Sequence, residues 1–318
     1  MTRIACLAGP AVVLALCLPV VPANAQLSRT FVSAATGNDA NNCDRPTPCR
    51  TFQGAHDKTN PDGEITVLDA GGYGSVKITK SISIVNDGVG EASTLVSGGA
   101  TGITVDAGAA GYVNLRGITV QGIGFGGGFG LKLLSAFSLT ISKCVFRNHT
   151  GEGIDFNVNG QGTVSAAIVD TLVTDNGGTG IFVRPTAPFT NVQVSLDRVA
   201  MYGNSFDGLS VDGGANPGGV IKVSVVDSIS AHNGGDGFQA STNSSGKATT
   251  LMLMHSVAAN NKGAGLSASG AVLRVGQSMI TGNATTWVSF GGVLQSFGDN
   301  YIAGNFDGDP PPPAIARK

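Results

Sequence analysis

Charged residues are scarce in this chain of 318 residues, where Lys, Arg, Asp and Glu together account for 13% of the sequence. The formal net charge at pH 7 is −2. Proteins that bind nucleic acids or anionic membranes carry a strongly basic surface, so this composition argues against both kinds of partner. After residue 25 the sequence also lacks an apolar run long enough to span a bilayer.

Aromatic residues are also few, at 6% of the chain with a single Trp, whereas Gly occurs 48 times. This balance is typical of tight coils whose interior is filled by small aliphatic side chains. In a fold of stacked coils each unit needs only its neighbours, so a chain of this length can remain one domain.

Residues 1–25 have the pattern of a secretory signal peptide: a positive start, an apolar core over Ile4–Val21 and an A-x-A cleavage site ending at Ala25. A transmembrane anchor is the alternative, but Pro10 and Pro19 interrupt the apolar run and no stop-transfer pattern follows. A lipoprotein signal at Cys17 would need a small residue before the Cys, where Leu stands. We therefore expect cleavage after Ala25 and a secreted or periplasmic protein.

One sequence pattern repeats through the second half of the chain: an apolar strand, a polar turn, a short strand, an Asn, a Gly-containing bend and a third strand. The repeated Asn positions, 28 or 29 residues apart and then 22 apart, are Asn148, Asn176, Asn204, Asn233, Asn261, Asn283 and Asn305. A Gly followed by a large apolar residue comes shortly after most of them. Repeats of this length with this many strands predict a parallel β-solenoid.

Two columns of apolar residues support that prediction. The first lies eight residues before the Asn, or seven before Asn148, and comprises Ile141, Ile168, Leu196, Val225, Leu253, Val275 and Phe297. The second lies in the third strand and comprises Phe156, Val183, Val211, Ala240 and Ala268. Both columns are expected to point inward, as the two-residue alternation of a strand requires.

The repeated Asn residues are expected to form a structural ladder. Asn tolerates left-handed backbone angles, which suits the bend. Its side-chain amide could also bond to the Asn above and below it. We assign this ladder to Asn148, Asn176, Asn204, Asn233 and Asn261.

Four coils carry about six residues beyond the 22 that one turn needs, and the extra residues follow the third strand. The resulting loops, at 157–162, 184–190, 212–219 and 240–247, are expected to project side by side.

The segment before the repeats carries a family resemblance. Its features are RTFVS at 29–33, GND at 37–39, PCRTFQ at 48–53, GEITVL at 63–68 and GYG at 72–74. It resembles the N-terminal segment of exported right-handed parallel β-helix proteins of the pectin-lyase-like superfamily. That resemblance implies an all-β, single-stranded right-handed parallel β-helix with an N-terminal cap, and it is weak evidence for function because such folds host many activities.

The expected organisation is a signal peptide at 1–25, a cap at 26–64, a β-helix at 65–306 and a Pro-rich solvated tail at 307–318. The cap should contain a first strand at Thr30–Ser33, a disulfide loop and a short helix near Phe52–Lys58. A cap is expected because the terminal coil of a solenoid would otherwise expose its core.

Three cysteines follow the signal peptide. Cys43 and Cys49 bracket a short Pro-containing loop, and in an oxidising compartment they are expected to form a disulfide. A metal site is not favoured, because no second Cys pair or His cluster accompanies them. Cys144 lies where later coils place apolar residues, so we expect it to be buried and reduced.

A column of acidic residues precedes the second strand of each coil, six residues before the Asn or seven before Asn204. Its acidic members in adjacent coils are Asp170, Asp197 and Asp227. Each Asp could cap turn N–H groups, the three could hold a hard cation such as Ca²⁺, or two could act as paired acid and base of a glycosidase. The capping role is favoured, and no other cofactor is expected.

A second polar group, which we call the polar ridge, lies at the bend before the third strand and comprises Glu152, Asp207, His232 and Asp236. His and Asp side chains on one ridge could form an acid and base pair. Solvated turn residues are the simpler interpretation.

Motifs of the superfamily's enzymes are absent. Polygalacturonase-like chains show Asn-Thr-Asp, Gly-His-Gly and Arg-Ile-Lys, and none occurs here. Pectate-lyase-like chains use Arg-x-Pro-x-x-Arg, whereas Arg184 and Pro185 are adjacent and no second Arg follows. No nucleophile elbow supports a Ser-His-Asp hydrolase.

Two classes of function remain. The first is an exported protein that binds a polysaccharide or acts at the cell surface, and the second is a polysaccharide lyase or glycoside hydrolase acting along the stacked loops. Low charge and the missing motifs favour the non-catalytic class, and no catalytic residue is assigned.

Overall fold

The computed structural model describes residues 27–123, 126–243 and 248–316. The expected signal peptide therefore lies outside the described residues, as does part of the loop at 240–247. In the described part, one short helix accompanies thirty strands, which form three parallel sheets.

Sheet A is formed by the first strand of each coil. In stacking order it contains β1 (Leu27–Val32), β2 (Thr59–Val67), β5 (Ile82–Val85), β8 (Tyr112–Arg116), β11 (Ser138–Ser142), β14 (Gly162–Val169), β17 (Thr190–Asp197), β20 (Ile221–Val226), β23 (Thr249–Met254), β26 (Val272–Gly276) and β29 (Val293–Ser296). All of its described pairings are parallel.

Sheet B is formed by the second, shorter strand. It contains β3 (Gly71–Gly72), β6 (Ala92–Val96), β9 (Ile118–Gly122), β12 (Val145–Arg147), β15 (Leu172–Thr174), β18 (Ala200–Tyr202), β21 (Ile229–Ala231), β24 (Val257–Ala259), β27 (Met279–Thr281) and β30 (Tyr301–Ala303). Sheet C, formed by the third strand, contains β4 (Val76–Ile78), β7 (Ile103–Asp106), β10 (Leu131–Ser135), β13 (Ile154–Phe156), β16 (Ile181–Val183), β19 (Leu209–Asp212), β22 (Phe238–Ser241), β25 (Ala264–Ser269) and β28 (Thr285–Phe290). The predicted all-β right-handed parallel β-helix is confirmed.

The apolar columns explain why these residues adopt this fold. Residues paired in register along sheet A are Ile141, Ile168, Leu196, Val225, Leu253 and Val275, and all six are buried. The sheet C column from Phe156 to Ala268 is likewise in register and buried. In the last coil Ser296, rather than Phe297, pairs with Val275. Because alternate residues point to opposite faces, these columns place one continuous core inside the coils.

The N-terminal segment contains the only helix of the described residues, α1 (Phe52–Lys58), on the residues for which the sequence indicates one. Thr51 caps it by accepting a hydrogen bond from the Gly54 N–H. Phe52 packs on Tyr73, with ring centroids 4.9 Å apart. The predicted disulfide between Cys43 and Cys49 is confirmed, and Cys144 is free and buried. Burial raises the pKa of the Cys144 thiol to about 11, which makes it a poor nucleophile at neutral pH.

An amide ladder runs along the bend between sheets B and C. In each rung the Nδ2 of one Asn donates to the Oδ1 of the Asn in the next coil, at distances of 2.9–3.0 Å. The rungs are Asn176, Asn204, Asn233, Asn261, Asn283 and Asn305. These residues are not in the left-handed region. The residue before each Asn has the positive φ instead, for example Asp175 at 55° and His232 at 58°.

The ladder differs from the sequence prediction in its first coil. Asn148 has the left-handed φ of 61° and is only partly buried, whereas His149 is fully buried and occupies the ladder position. The backbone N–H of His149 donates to Asn176 Oδ1 at 3.2 Å. The Ile141 column therefore lies eight residues before the ladder position here too, and this coil is not one residue short.

In the coils from Gly130 to Gly265, the glycine at the start of the third strand is required by this ladder. A Cβ added to Gly180 would lie 2.8 Å from Asn204 Nδ2, and one added to Gly130 would lie 2.9 Å from His149 Nε2. Contacts this short do not occur for real Cβ atoms, so only Gly lets the backbone approach the ladder.

The Pro-rich tail packs on the last coil instead of extending into solvent as expected. The Ser296 N–H donates to the Pro313 carbonyl, and the Ile315 N–H donates to the Ser296 carbonyl, both at 2.8 Å. Trp287 Nε1 donates to the Pro310 carbonyl at 3.0 Å, and Pro312 is buried. The tail thus partly satisfies the open edge of sheet A.

Candidate functional site

The acidic column lies at the turn between sheets A and B, but it is not a stack of three carboxylates. Asp170 and Asp227 occupy its left-handed position, with φ of 50° and 49°. In the intervening coil that position is held by Arg198, with φ of 52°, and Asp197 precedes it. The column therefore alternates in charge.

Arg198 offsets the repulsion that three stacked carboxylates would cause. Its Nε donates to Asp170 Oδ1 and its Nη1 donates to Asp197 Oδ2, both at 2.6 Å. The hydrogen bond from Arg198 holds the pKa of the Asp170 carboxyl below its usual value. Within the described residues, no cluster of three His, Cys, Asp or Glu side chains could hold a metal ion. Because Arg198 already pairs with Asp170 and Asp197, a Ca²⁺ ion would have to compete with it for these carboxylates.

Hydroxyl groups, rather than these carboxylates, cap the turn. Ser228 Oγ donates to the Val226 carbonyl at 2.8 Å and accepts from the Val199 N–H at 3.0 Å. Ser256 and Ser278 repeat the pattern in the next coils. Sequence reasoning missed this buried column, although Thr171, Ser228, Ser256 and Ser278 each follow the left-handed turn residue and could have been aligned.

The polar ridge is only partly assembled. Glu152, Asp207 and Asp236 each lie three residues after a ladder position, so they share one column at the bend before sheet C. His232 lies in the exposed left-handed position before Asn233, on the other side of the ladder residue. The structure therefore groups the three carboxylates and leaves His232 outside the group.

A groove runs along this column and the neighbouring outer face of sheet C. It has a volume of about 440 Å³ and crosses four coils, which is roughly 15 Å along the helix axis by inter-strand spacing. Its side-chain lining consists of Thr150, Glu152, Thr179, Phe182, Phe206, Asp207, Ser210 and Gln239, and three glycines complete it. We refer to this feature as the groove.

Asp207 has an unusual electrostatic environment in the groove. Burial raises the pKa of its carboxyl to about 6, and the nearby charge of Asp236 acts in the same direction. Asp207 Oδ1 accepts the Asp236 N–H at 2.7 Å, and Asp236 Oδ1 accepts the Ala264 N–H at 2.7 Å. These bonds show that both carboxylates support the backbone of the next coil. Near pH 6, Asp207 can also serve as a proton donor.

A buried ion cluster borders the groove. Asp155 is fully buried on the outer face of sheet C, where Arg184 binds it through two hydrogen bonds of 2.8 and 3.1 Å. The same guanidinium lies 3.3 Å from Glu152 Oε1 and stacks on the Phe182 ring, 4.4 Å from its centroid. Lys132 lies 3.9 Å from Asp155 Oδ2. Arg184 therefore fixes both Glu152 and Phe182 at the edge of the groove.

Sequence reasoning missed this cluster. The outward position of sheet C reads Lys132, Asp155 and Phe182 in successive coils, with Arg184 two residues further on. Aligning this outward column, instead of the inward ones alone, would have placed opposite charges on adjacent strands.

A larger cavity, of about 610 Å³, lies between sheet A and the tail and is bordered by Met252, Arg274, Gln295, Phe297, Ile315 and Ala316. None of the predicted site residues lies there. The groove is the better candidate because it joins predicted ridge residues with the exposed ring of Phe206 and a carboxyl of raised pKa.

Comparison with known proteins identifies the fold. No protein-family model and no curated protein matches the sequence. Pectate lyase Pel9A is similar in structure, with a TM-score of 0.59 and 17% identity over 86% of this chain and 76% of that one. A rhamnogalacturonan lyase is also similar, with a TM-score of 0.56 and 11% identity over 89% of this chain and 88% of that one. The chain is thus a right-handed parallel β-helix with a pectin-lyase-like fold.

Proposed function

We propose that this protein is an exported, non-catalytic β-helix that binds a carbohydrate in the groove. Export rests on the signal-like segment at 1–25. Within the described residues, no helix is both long and apolar enough to cross a membrane. The two similar structures are named as lyases of pectate and rhamnogalacturonan, which agrees with a carbohydrate ligand.

The observation that carries the proposal is the pairing of aromatic rings with hydrogen-bonding groups along the groove. Phe206 is 61% exposed, so its ring offers an accessible apolar face in the groove. The C–H face of a sugar ring can stack on that face, and the sugar hydroxyls need donors and acceptors beside it. Ser210 and Gln239, which are bonded at 2.7 Å, and the carboxylates of Glu152 and Asp207 supply these.

A second candidate, a glycoside hydrolase, is favoured by one observation. Asp207 is a carboxyl with a pKa raised to about 6, which suits a general acid. Glu152 lies two coils away in the same column, which is roughly 10 Å by inter-strand spacing, close to the upper end of the separation of inverting carboxylates. The binding function is preferred because the hydrogen bond from Asp236 already gives Asp207 a structural role.

A glycan array and two product assays test the proposal. The wild-type protein should retain a defined set of glycans, and Phe206→Ala should weaken that binding about tenfold, which corresponds to about 1.4 kcal/mol. Phe189→Ala is the matched control, because Phe189 is 66% exposed and lies outside the groove. Neither new reducing ends nor unsaturated products should form.

The assays also separate the candidates. Release of reducing ends that disappears in Asp207→Asn would establish the hydrolase instead. A protein that retains no glycan, or one in which Phe189→Ala and Phe206→Ala act alike, would refute the groove as a carbohydrate site.

A further inference from the structure

The groove is negatively charged, and this property bears on which carbohydrates it can accept. Glu152 and Asp207 are its only charged lining residues among the described part of the chain. The Asp236 carboxylate adds a further negative charge, which lies near enough to Asp207 to help raise its pKa. Asp207 is largely ionised at pH 7, because its pKa is raised only to about 6.

The two nearest cations are balanced by Asp155 and Glu152, so they leave the charges of Asp207 and Asp236 uncompensated. Arg184 is engaged by Asp155 and by Glu152, and its guanidinium carbon lies 4.4 Å from the centroid of the Phe182 ring. The Lys132 ammonium lies 4.5 Å from the centroid of the Phe129 ring and 3.9 Å from Asp155. A ligand carboxylate that bound Arg184 or Lys132 would compete with the buried Asp155 for one of its two cations.

We propose that the groove selects glycans without acidic groups and discriminates against uronates. This inference rests on the proposed carbohydrate function and adds a substrate class to it. Neutral hydroxyls can donate to the carboxylates of Glu152 and Asp207, whereas a uronate carboxylate would meet like charges at close range. The ligand class therefore differs from the polyuronate named in the pectate lyase of similar fold.

Polygalacturonate and its carboxyl-reduced counterpart test this inference, because they share one backbone and differ in charge. Affinity of the full chain for each polymer is measured at pH 7 by affinity electrophoresis, in EDTA and then in excess Ca²⁺. The reduced polymer should bind at least tenfold more tightly in both conditions. Added salt should reduce the difference in affinity between the two polymers, because the discrimination is electrostatic.

Two variants test whether the carboxylates of Glu152 and Asp207 cause this discrimination. Glu152→Gln and Asp207→Asn should each bring the two polymers to within about threefold of each other by removing one charge. Asp227→Asn is the matched control: it removes the same charge from the turn between sheets A and B. It should leave the ratio of the affinities for the two polymers unchanged. An affinity ratio that changes equally in all three variants would overturn the inference.

The remaining outcomes distinguish failure of this inference from failure of the proposed carbohydrate-binding function. If polygalacturonate binds as tightly as the reduced polymer or more tightly, with or without Ca²⁺, this inference fails while carbohydrate binding stands. If neither polymer binds, the glycan array decides: hits confined to neutral glycans support the inference, and uronate hits stronger than their neutral counterparts overturn it. If no glycan binds at all, both the proposed function and this inference fail.

Discussion

His149 takes the place of an asparagine in the amide ladder by donating from its ring to the carbonyl oxygen of Val120, at 3.2 Å from Nε2. A carbonyl can only accept, so Nε2 carries the proton and Nδ1 is the bare nitrogen. Asn176 and Asn204 make the equivalent bonds to the carbonyls of Phe146 and Val173. Unlike those amides, His149 can gain a charge, and its buried Nδ1 has no hydrogen-bond partner in the described part of the chain.

The first prediction concerns acid stability. Burial lowers the pKa of His149 to about 4 from its ordinary 6.5, so the folded state binds a proton less readily than the unfolded state. The stability from neutral His149 is therefore complete above pH 6.5 and is lost as the pH falls toward 4. Between pH 7 and pH 5, the free energy of unfolding of the wild-type protein should fall by about 2 kcal/mol more than that of His149→Asn, as measured by urea unfolding. An equal loss in both proteins would contradict this.

The second prediction compares two asparagines that the sequence pattern groups together. Asn204→Gly removes a ladder rung, including the bonds from Asn176 Nδ2 and to Asn233 Oδ1, so it should lower the free energy of unfolding by about 3 kcal/mol. Asn148→Gly should be nearly neutral, because Asn148 lies outside the ladder and Gly accepts its positive φ. Urea unfolding of both variants measures this, and similar losses would place Asn148 in the ladder after all.

The contrast between Asn204 and Asn148 shows which parts of the fold the sequence could predict. Period-two alternation identified the inward columns in all but the last coil, because burying every second residue is a strong constraint on composition. The left-handed position is only weakly constrained, since several residue types tolerate it. Residue counting therefore assigned Asn148 to the ladder in place of His149 and Asp197 to the turn column in place of Arg198.

The candidate site was predictable only in part. The stacked carboxylates Glu152, Asp207 and Asp236 follow from the repeat, because equivalent positions in adjacent coils must lie close together. The pairing of Asp155 with Arg184 does not follow from the inward pattern, because both lie on the outer face. The raised pKa of Asp207 depends on its burial, which a repeat alignment does not reveal.

The third prediction concerns calcium. Arg198 already binds Asp170 and Asp197, so added Ca²⁺ should leave the melting temperature of the wild-type protein unchanged. Differential scanning calorimetry with EDTA and with excess Ca²⁺ measures this. A rise in melting temperature with Ca²⁺ that disappears in Asp197→Asn would restore the cation hypothesis for this column.

The fourth prediction tests which side chain supports the turn between sheets A and B. Ser228→Ala removes a buried hydroxyl that both donates and accepts, so it should cost about 1 to 2 kcal/mol of stability. Asp227→Gly should change stability little, because its side chain is half exposed and Gly tolerates the left-handed φ. The comparison is made by denaturant unfolding at pH 7. A larger loss for Asp227→Gly would return the capping role to the acidic column.

The last prediction concerns Asp207 and the pH dependence of stability. Its folded-state pKa is raised to about 6 from 3.8, so the folded protein binds the proton more tightly than the unfolded chain does. The resulting stability is complete below about pH 4 and is lost as the pH rises through 6. Asp207→Asn cannot titrate, so its stability relative to wild type should increase by on the order of 2 kcal/mol between pH 4 and pH 7.

Asp170→Asn provides the control of opposite sign. The pKa of Asp170 is lowered by its hydrogen bond from Arg198, so the stability it adds is present at neutral pH and is lost as the pH falls. Relative to wild type, Asp170→Asn should therefore become less stable as the pH rises, whereas Asp207→Asn becomes more stable. Urea unfolding at pH 4, 5, 6 and 7 measures both trends. If the two variants followed the same trend, Asp207 would not hold a proton near neutrality, and the hydrolase candidate would lose its general acid.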